Sequence, residues 1–390
     1  MPQKYRWGAT LRLLLYCCLL GGLILLTQGG CSLRLPGWLE EIFTDPTPRE
    51  AYYSALRRGG RPPEPTLRRW AAAHDSARAS IQAVTLPHRE VITTDTALAH
   101  SAQSLRFRLP YGRRLRVSLE EASGAPVFAE LYRAGTERPV AAADTLDYPL
   151  DYAAEATGGE ELQLVLQPPP GRGSRYDLSL VTAPVLFFPV AGADAGDIGS
   201  KWGAPRDGGR RRHEGNDVFA PRGTPLLAVA AGRVSRVREG GLGGKTVWLR
   251  DGEGRPLSYY YAHLDSQLVR TGQYLERGDT LGLVGNTGNA RTTPPHLHFG
   301  IYGRSGARDP FPFLDEADDR PRAPAYQLAT GTHTVRVPAR GNHYLRRRPE
   351  RDGPVIRQLT NGEELAAAGA TGRFYRVTDS LGTRGYANFD

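Results

Sequence analysis

The sequence predicts a mainly β, multidomain protein, and three observations lead to this prediction. The chain has 390 residues, which is more than one core usually holds, so several modules of roughly 100–200 residues each are expected. The spacing of apolar residues changes from helical to alternating near residue 90. Short β-rich runs and many glycines then fill residues 186–314. The predicted fold is therefore an N-terminal helical hairpin followed by a β-sandwich, an antiparallel β-domain and a small β-barrel.

Residues 1–30 are typical of an export signal. Basic residues precede an apolar run from Leu13 to Leu26, which is shorter than the roughly 20 residues that a membrane-spanning helix needs. Cys31 follows two glycines, as the lipid-modified cysteine of bacterial lipoproteins does, although Gln28 stands where Leu is usual. Lipidation of Cys31 and simple cleavage nearby both stay open. In either case we expect export to the periplasm or cell envelope, with contact to the membrane only through this signal or lipid anchor.

Cysteine usage and charge limit the chemistry of the folded modules. The three cysteines all lie within the first 31 residues, so the rest of the chain has no disulfide or thiolate metal site. A zinc site there must use histidine and carboxylate ligands. The net charge of +9 suits a protein that works beside polyanions. Because the arginines are scattered and no nucleic-acid-binding motif is found, we expect no nucleic-acid partner.

Two helices are predicted in residues 31–88, which we assign to a helical stalk. Thr47 and Glu50 have the spacing of a capping box, with proline at the first helical position, and the helix ends at Gly60. The second helix starts near residue 66, and its apolar face is formed by Leu67, Trp70, His74, Ala77 and Ile81. His74 has no partner at ligand spacing, so we expect it to be a core-edge residue and not a metal ligand.

Residues 89–184 alternate between apolar and polar side chains, as half-buried strands do. The alternating apolar positions include Leu115, Val117, Leu119, Leu162, Leu164, Tyr176, Leu178 and Leu180. Because proline and glycine turns separate these runs, we predict an antiparallel β-sandwich, which serves as a spacer or binds glycan. The glycine-dense β-domain that follows is assigned to residues 185–315.

Four of the nine histidines lie between residues 213 and 298. The first belongs to the motif His213-Glu-Gly-Asn-Asp217. The central glycine lets the backbone turn sharply, so both His213 and Asp217 can point at one cation. A pair with this spacing also arises by chance, so the motif alone decides nothing.

The other three histidines lie in two predicted strands. His296 and His298 alternate with Leu297 and Phe299, so both histidines face one side of the strand. The alternative is a pair of solvent-facing histidines on an edge strand. His263 ends an aromatic-rich strand, and by itself it is typical of a surface or turn residue.

The three segments together can supply two histidines and one aspartate as metal ligands and leave two histidines over. A catalytic zinc keeps three protein ligands and one open position, whereas a structural zinc is closed by four. The two remaining histidines could orient water and stabilise charge in a tetrahedral intermediate.

With these motifs, residues 187–314 resemble the lysostaphin-type, or LytM-like, zinc endopeptidases that cut peptidoglycan peptides. The resemblance extends to Gly223-Thr224-Pro225, Ala228, Gly232-Arg233-Val234, Gly272-Gln273, Gly278-Asp279, Gly285-Asn286-Thr287-Gly288 and Pro295-His296-Leu297-His298-Phe299. The chain departs from the family pattern at Asn216, where an apolar residue is common, and at Pro294, where glycine is frequent. The stretch from Trp202 to Arg206 matches only loosely.

The resemblance implies a LytM-like antiparallel β metallopeptidase domain that binds one Zn²⁺ through His213, Asp217 and His298. It implies His263 and His296 as the catalytic histidines of an enzyme that hydrolyses cross-links or stem peptides of peptidoglycan in wall remodelling. Two alternatives stay open. The first is a LytM-like regulator that activates cell-wall amidases without catalysis of its own, and the second is a protease for secreted proteins.

The last sixty residues resemble a bacterial SH3-like domain. The matching residues are Leu345-Arg346, Pro349, Val355-Ile356, Leu359, Gly362, Phe374-Tyr375-Arg376-Val377 and Gly385-Tyr386. We therefore expect an SH3-like β-barrel at residues 332–390, after a linker at 316–331. The resemblance implies either cell-wall binding or a structural closing module. The run of arginines from 210 to 212 also has two interpretations, contact with stem-peptide carboxylates or a solvated surface, and the sequence does not indicate the oligomeric state.

Overall fold

The computed structural model describes residues 45–390, apart from residues 81, 95–101, 122–124, 145–148, 155–157, 172, 317–320, 322, 327, 330–332 and 390. The predicted export signal and Cys31 lie outside the described residues, and so do Ile81 and part of the predicted linker. Within the described ranges, no helix is both long enough and apolar enough to cross a membrane.

The two predicted helices are present and are confirmed in their main features. Helix α1 covers Pro48–Gly59, and helix α2 covers Glu64–Arg78. The capping box of α1 forms as predicted, because the Glu50 N–H donates to Thr47 Oγ1 and the Thr47 N–H donates to Glu50 Oε2. The buried face of α2 consists of Leu67, Trp70, His74 and Ala77.

Eight strands follow the helices and form two antiparallel layers around one core. They are β1 (His88–Thr94), β2 (Gln103–Leu109), β3 (Arg113–Glu121), β4 (Phe128–Arg133), β5 (Ala141–Ala143), β6 (Leu150–Ala153), β7 (Glu160–Gln167) and β8 (Ser174–Pro184). One layer has the order β2-β7-β4-β5, and the other contains β1-β8-β3-β6. Leu105 and Leu164 of the first layer share a core with Leu115 and Leu178 of the second.

The helices pack against this core through polar contacts as well as apolar ones. The Trp70 indole donates to the Pro168 carbonyl at 2.8 Å. His74 is 3% exposed, and its Nε2 lies 2.8 Å from a carboxylate oxygen of Glu130 on β4. His74 is therefore a buried residue that joins the helix to the sheet, which confirms that it belongs to the core.

The C-terminal strands extend the second layer. They are β22 (His333–Arg336), β23 (His343–Arg346), β24 (Val355–Leu359), β25 (Glu364–Thr371), β26 (Phe374–Thr378) and β27 (Arg384–Ala387). In the described part of the chain they form a ten-stranded sheet in the order β24-β23-β27-β26-β25-β1-β8-β3-β6, with β22 on β25. The junction is the pair β1 and β25, where Val91 lies opposite Ala370. The domain boundaries and the SH3-like barrel stay predictions. The sheet itself continues without a break from the sandwich strands into the C-terminal strands.

The central region carries its own sheets. Its strands are β9 (Ile198–Ser200), β10 (Pro205–Arg206), β11 (Arg211–Arg212), β12 (Asn216–Phe219), β13 (Pro225–Leu227), β14 (Gly232–Arg238), β15 (Lys245–Asp251), β16 (Ser258–Leu264), β17 (Ser266–Gln267), β18 (Tyr274–Leu275), β19 (Thr280–Leu283), β20 (His296–Gly303) and β21 (Gly306–Arg308). A four-residue helix, α3 (Phe311–Leu314), follows them. The main sheet has the order β18-β14-β15-β16-β20-β12-β9, with β21 on β20, and β13-β19-β17 form a smaller sheet. The prediction of a mainly β protein with several antiparallel sheets is confirmed.

Candidate metal centre and active site

The main sheet brings the histidine segments together by strand order. Strand β20 lies between β16 and β12, so the edge-strand alternative for its two histidines is wrong. Leu297 and Phe299 are fully buried in the core, whereas His296 and His298 line a cleft on the other face. Asp217 lies directly opposite His298 in the strand register. The side chains of β20 therefore alternate between the core and the cleft, as predicted.

Three side-chain atoms converge at one point of this cleft. His213 Nε2 lies 3.0 Å from Asp217 Oδ1, His298 Nδ1 lies 3.0 Å from the same oxygen, and the two nitrogens are 2.9 Å apart. Within the described residues these three form a group of His, Cys, Asp or Glu that could hold a metal ion. Ligand bonds of about 2.0–2.1 Å in a tetrahedral zinc site place donor atoms roughly 3.3–3.4 Å apart. The three atoms need to separate by only a few tenths of an ångström to reach that spacing.

The chemistry of these donors also fits zinc. His213 Nδ1 lies 3.1 Å from the Lys201 carbonyl, and because a carbonyl only accepts, Nδ1 carries a proton and Nε2, which faces Asp217, is the nitrogen that can bind an ion. Burial alone would raise the pKa of Asp217, but hydrogen bonds and charge from His213 and His298 outweigh it and lower this pKa. The carboxylate is therefore ionised, as a metal ligand must be.

The glycine of the first motif is needed for space. A Cβ atom on Gly215 would lie 2.5 Å from the Phe299 carbonyl oxygen and 2.7 Å from the His298 ring. The sequence suggested a sharp backbone turn as the reason for this glycine, but Gly215 is not among the residues with positive φ. The glycine instead lets His213 and Asp217 approach β20 closely.

His263 reaches the cleft by a break in strand alternation. Tyr259 and Tyr261 on β16 point into the core, and regular alternation would send His263 there as well. Instead Leu264 is in the core, while His263 lines the cleft. The motif predicted that His263 belongs to the site, whereas strict alternation along β16 would place its side chain in the core.

A β-bulge at the end of β16 causes this change of direction. Leu264 pairs with Lys245 and Tyr261 pairs with Val247, so β16 has one extra residue between these pairs. His263 lies within that extra length and has a φ of 66°, and no other non-glycine residue described by the structure has a positive φ. Bulges of this kind turn a side chain towards an active site. A left-handed conformation costs a residue other than glycine about 1–2 kcal/mol.

Backbone carbonyls orient both histidines that lie outside the metal group. His263 Nδ1 donates to the Thr287 carbonyl at 2.9 Å, and His296 Nδ1 donates to the Pro294 carbonyl at 2.8 Å. In both rings Nε2 is therefore the nitrogen that can exchange a proton. Proline in place of glycine at residue 294 keeps this interaction, because the acceptor is a main-chain oxygen.

Burial, together with the nearby rings of His298 and His296, lowers the pKa of His263 to about 4, so the ring is neutral at pH 7. The rings of His263 and His296 are 5.1 Å apart, and the ring of His263 is 5.9 Å from that of His298. The structure thus places all five predicted site residues in one cleft, with the imidazoles of His263 and His296 beside the metal group. Their roles stay predictions.

The cleft has a volume of about 530 Å³. Apolar and aromatic side chains lie along its rim, among them Phe219 and Leu242, which are 37% and 65% exposed. Of the three consecutive arginines, Arg211 lines the cleft. A larger cleft of about 710 Å³ lies elsewhere, but its lining has no histidine or cysteine. The histidines and Asp217 in its lining therefore favour the smaller cleft as the candidate active site.

One site feature was missed at the sequence level. Arg206 Nη2 donates to Asp217 Oδ2 at 2.7 Å and to Ser200 Oγ at 2.8 Å. Arg206 therefore holds the oxygen of Asp217 that does not face the metal group. The only signal in the sequence is the loose match of the stretch that ends at Arg206.

Comparison with known proteins agrees with the position of this site. Residues 211–310 match the model of Peptidase family M23. The L-Ala-D-Glu endopeptidase of Bacillus subtilis (strain 168) is 38% identical over 127 residues, which cover 30% of this chain and 38% of that protein. The peptidoglycan DD-endopeptidase ShyC of Vibrio cholerae is 37% identical over 95 residues, which cover 24% of this chain and 21% of ShyC.

Lysostaphin of Staphylococcus simulans is 34% identical over 127 residues, which cover 31% of this chain and 24% of lysostaphin. The chain thus spans less than two thirds of the length of each of these relatives. The predicted resemblance to lysostaphin-type endopeptidases is confirmed for this part of the chain. The SH3-like resemblance of the C-terminal residues stays a prediction.

Proposed function

We propose that the chain, whose residues 211–310 are a peptidase family M23 domain, is a zinc-dependent endopeptidase that hydrolyses peptides of bacterial peptidoglycan. The convergence of donor atoms from His213, Asp217 and His298 within about 3 Å, with two further imidazoles in the same cleft, carries this proposal. The names of the relatives support the substrate class, because one is a peptidoglycan DD-endopeptidase.

His213, Asp217 and His298 would hold the metal ion. When bound, zinc supplies a Lewis acid that polarises a carbonyl group and acidifies a water molecule. Three ligands leave one coordination position open for this chemistry. The ionised state of Asp217 and the orientation of His213 Nε2 towards it suit the two residues to this task.

His263 and His296 are the proposed catalytic residues. Because Nδ1 of each ring is committed to a main-chain carbonyl, Nε2 is free to handle a proton. Neutral His263 accepts the proton of the attacking water at Nε2 and returns it to the leaving amine nitrogen, so the proton balance closes over one cycle. His296, which packs against Phe219, orients the attacking water by accepting a hydrogen bond from it at Nε2.

Digestion of intact peptidoglycan tests this function. The purified chain, without its predicted signal, is incubated with peptidoglycan in the presence and absence of a chelator, and released muropeptides are identified by mass spectrometry. We expect release that stops with chelator and returns with added zinc. Release that is insensitive to chelator, or none under any condition, would contradict the proposal. If instead the chain stimulates a cell-wall amidase without releasing peptides itself, it acts as a regulator.

The product masses also assign the bond that is cut. The names of the relatives specify different bonds, since one is an L-Ala-D-Glu endopeptidase and another a DD-endopeptidase. We further propose that the chain works in the cell envelope, where peptidoglycan lies. Cell fractionation tests this location, and the mass of the processed N-terminus decides between lipidation at Cys31 and simple cleavage.

A further inference from the structure

We propose that Asn216 is a positioning residue for the metal centre. It holds the segment Ser200–Arg206, here called the bracing segment, and this segment fixes the orientation of two metal ligands, His213 and Asp217. The inference rests on the proposed function, because it concerns the ligands assigned there.

Asn216 is attached to the bracing segment by one buried hydrogen bond. Its side chain is fully buried, and its Oδ1 accepts the Trp202 N–H at 2.8 Å. Asn216 also stands next to the ligand Asp217 on β12. A single side chain therefore links the strand that carries one ligand to the loop in front of it.

The bracing segment contacts His213 at three points. The His213 N–H donates to the Ala204 carbonyl at 2.8 Å, and the Gly203 N–H donates to the His213 carbonyl at 2.9 Å. The ring Nδ1–H donates to the Lys201 carbonyl at 3.1 Å. These contacts fix both the backbone of His213 and the orientation of its ring, which directs Nε2 into the metal group.

The same segment contacts Asp217 through its last residue. Arg206 donates to Asp217 Oδ2 and, from the same nitrogen, to Ser200 Oγ at the start of the segment. The guanidinium thereby leaves Oδ1 as the oxygen that faces His213 and His298. A shift of the bracing segment would move the supports of both ligands together.

The second polar atom of Asn216 shows that this hydrogen bond matters. Asn216 Nδ2 is buried and has no hydrogen-bond partner among the described residues. A buried amide left unpaired destabilises a fold, and an apolar residue at this position would avoid that cost. The hydrogen bond that Oδ1 accepts from the Trp202 N–H gives a reason for asparagine here.

Substitution of Asn216 by leucine tests the proposal. Asn216→Leu keeps the number and branching of the side-chain heavy atoms and removes the acceptor oxygen. Zinc affinity of the chain without its signal is measured by competition with a chromophoric chelator, and we expect it to fall about tenfold to a hundredfold, as for other residues that orient metal ligands. The thermal midpoint of the metal-free protein should change little, because removal of the unpaired amide offsets loss of the hydrogen bond to Trp202. Asn342→Leu, at an exposed asparagine, is the matched control and should leave zinc affinity unchanged.

Two further readouts separate positioning from a purely structural role. Long-range ¹H–¹⁵N correlation spectra report whether Nδ1 of His213 carries the proton that the Lys201 carbonyl accepts. This nitrogen should be fully protonated in the wild type, and the tautomers should be mixed in Asn216→Leu. Arg206→Gln, at a partly exposed residue, should weaken zinc binding by itself. In that background the loss caused by Asn216→Leu should be smaller than in the wild type.

These outcomes distinguish a positioning role of Asn216 from a purely structural one. Wild-type zinc affinity and an unchanged His213 tautomer in Asn216→Leu would overturn the positioning role while leaving the proposed function intact. Full additivity of the Asn216 and Arg206 substitutions would also overturn it. If Asn216→Leu does not fold, undiminished zinc binding in Arg206→Gln counts against the bracing segment. A wild-type chain that binds no zinc would instead refute the proposed function.

Discussion

Replacement of Arg376 by methionine should strongly destabilise the folded chain. The Arg376 side chain is 3% exposed, and it donates to the two carboxylate oxygens of Glu90 at 2.6 and 2.8 Å. It also donates to Gln82 and to Tyr386, each at 2.8 Å. Methionine fills much of the same space but leaves Glu90, which is fully buried, without its counter-charge. This pair lies where the C-terminal strands join β1, so its loss weakens that junction.

Two independent estimates give a similar size for the effect. Removal of one partner of a buried ion pair costs about 3–5 kcal/mol. Burial alone would raise the pKa of Glu90, but Arg376, with help from His88, outweighs it and lowers this pKa from 4.5 to about 2. A lowering of that size corresponds to about 3 kcal/mol. Because the pKa is lower in the folded state, this stabilisation is complete above about pH 4.5 and disappears as the pH falls towards 2.

Urea unfolding followed by tryptophan fluorescence measures the change in the free energy of unfolding. Arg376→Met should lose about 3 kcal/mol or more at pH 7 and distinctly less at pH 3. The matched control is Arg336→Met, which breaks a surface pair with Glu364 whose side chains are 71% and 58% exposed and should cost less than about 1 kcal/mol. The neutral double variant Glu90→Gln with Arg376→Met should recover part of the loss. Equal effects of Arg376→Met and Arg336→Met, or a loss that does not shrink at pH 3, would refute this reasoning.

Three further predictions concern the site and the first helix. His263→Ala should lower peptidoglycan turnover about a hundredfold or more while zinc stoichiometry stays that of the wild type, and full turnover would remove its catalytic role. In metal-free protein, His263→Gly should be about 1 kcal/mol more stable than His263→Ala, because residue 263 has a φ of 66°, and equal thermal midpoints would argue against strain there. Thr47→Ala should cost about 1–2 kcal/mol in urea unfolding, because it removes the helix cap and a 2.6 Å hydrogen bond to Glu130, and an unchanged midpoint would contradict this.

Much of the candidate site could be predicted because its residues follow local rules. His296 and His298 occupy alternate positions of one strand, and alternation alone puts both on one face. The capping box of Thr47 and Glu50 depends on residues three apart in sequence. Such patterns arise from backbone geometry within a few residues, so they can be found without knowledge of the rest of the chain.

Other features depend on residues that are far apart in sequence and could not be predicted. The alternation of β16 sends His263 to the core, and only the register with β15 reveals the bulge that turns it into the cleft. Nothing in the local sequence distinguishes Arg206 from an ordinary loop arginine, and only the fold brings it to Asp217. The separate C-terminal module predicted from its own motifs is joined to β1 by strand pairing, which its internal pattern does not encode.

The sequence by itself predicted the five residues that converge in the cleft, the mainly β class and the limits of the first helix. Only the tertiary structure decided which way His263 points, what holds His213 and Asp217 in place, and how the C-terminal strands attach. The physical reason is the range of the interactions. Side-chain direction within one strand or helix is set by neighbouring peptide units, whereas a bulge, a bracing hydrogen bond or a buried ion pair exists only after distant segments have packed together.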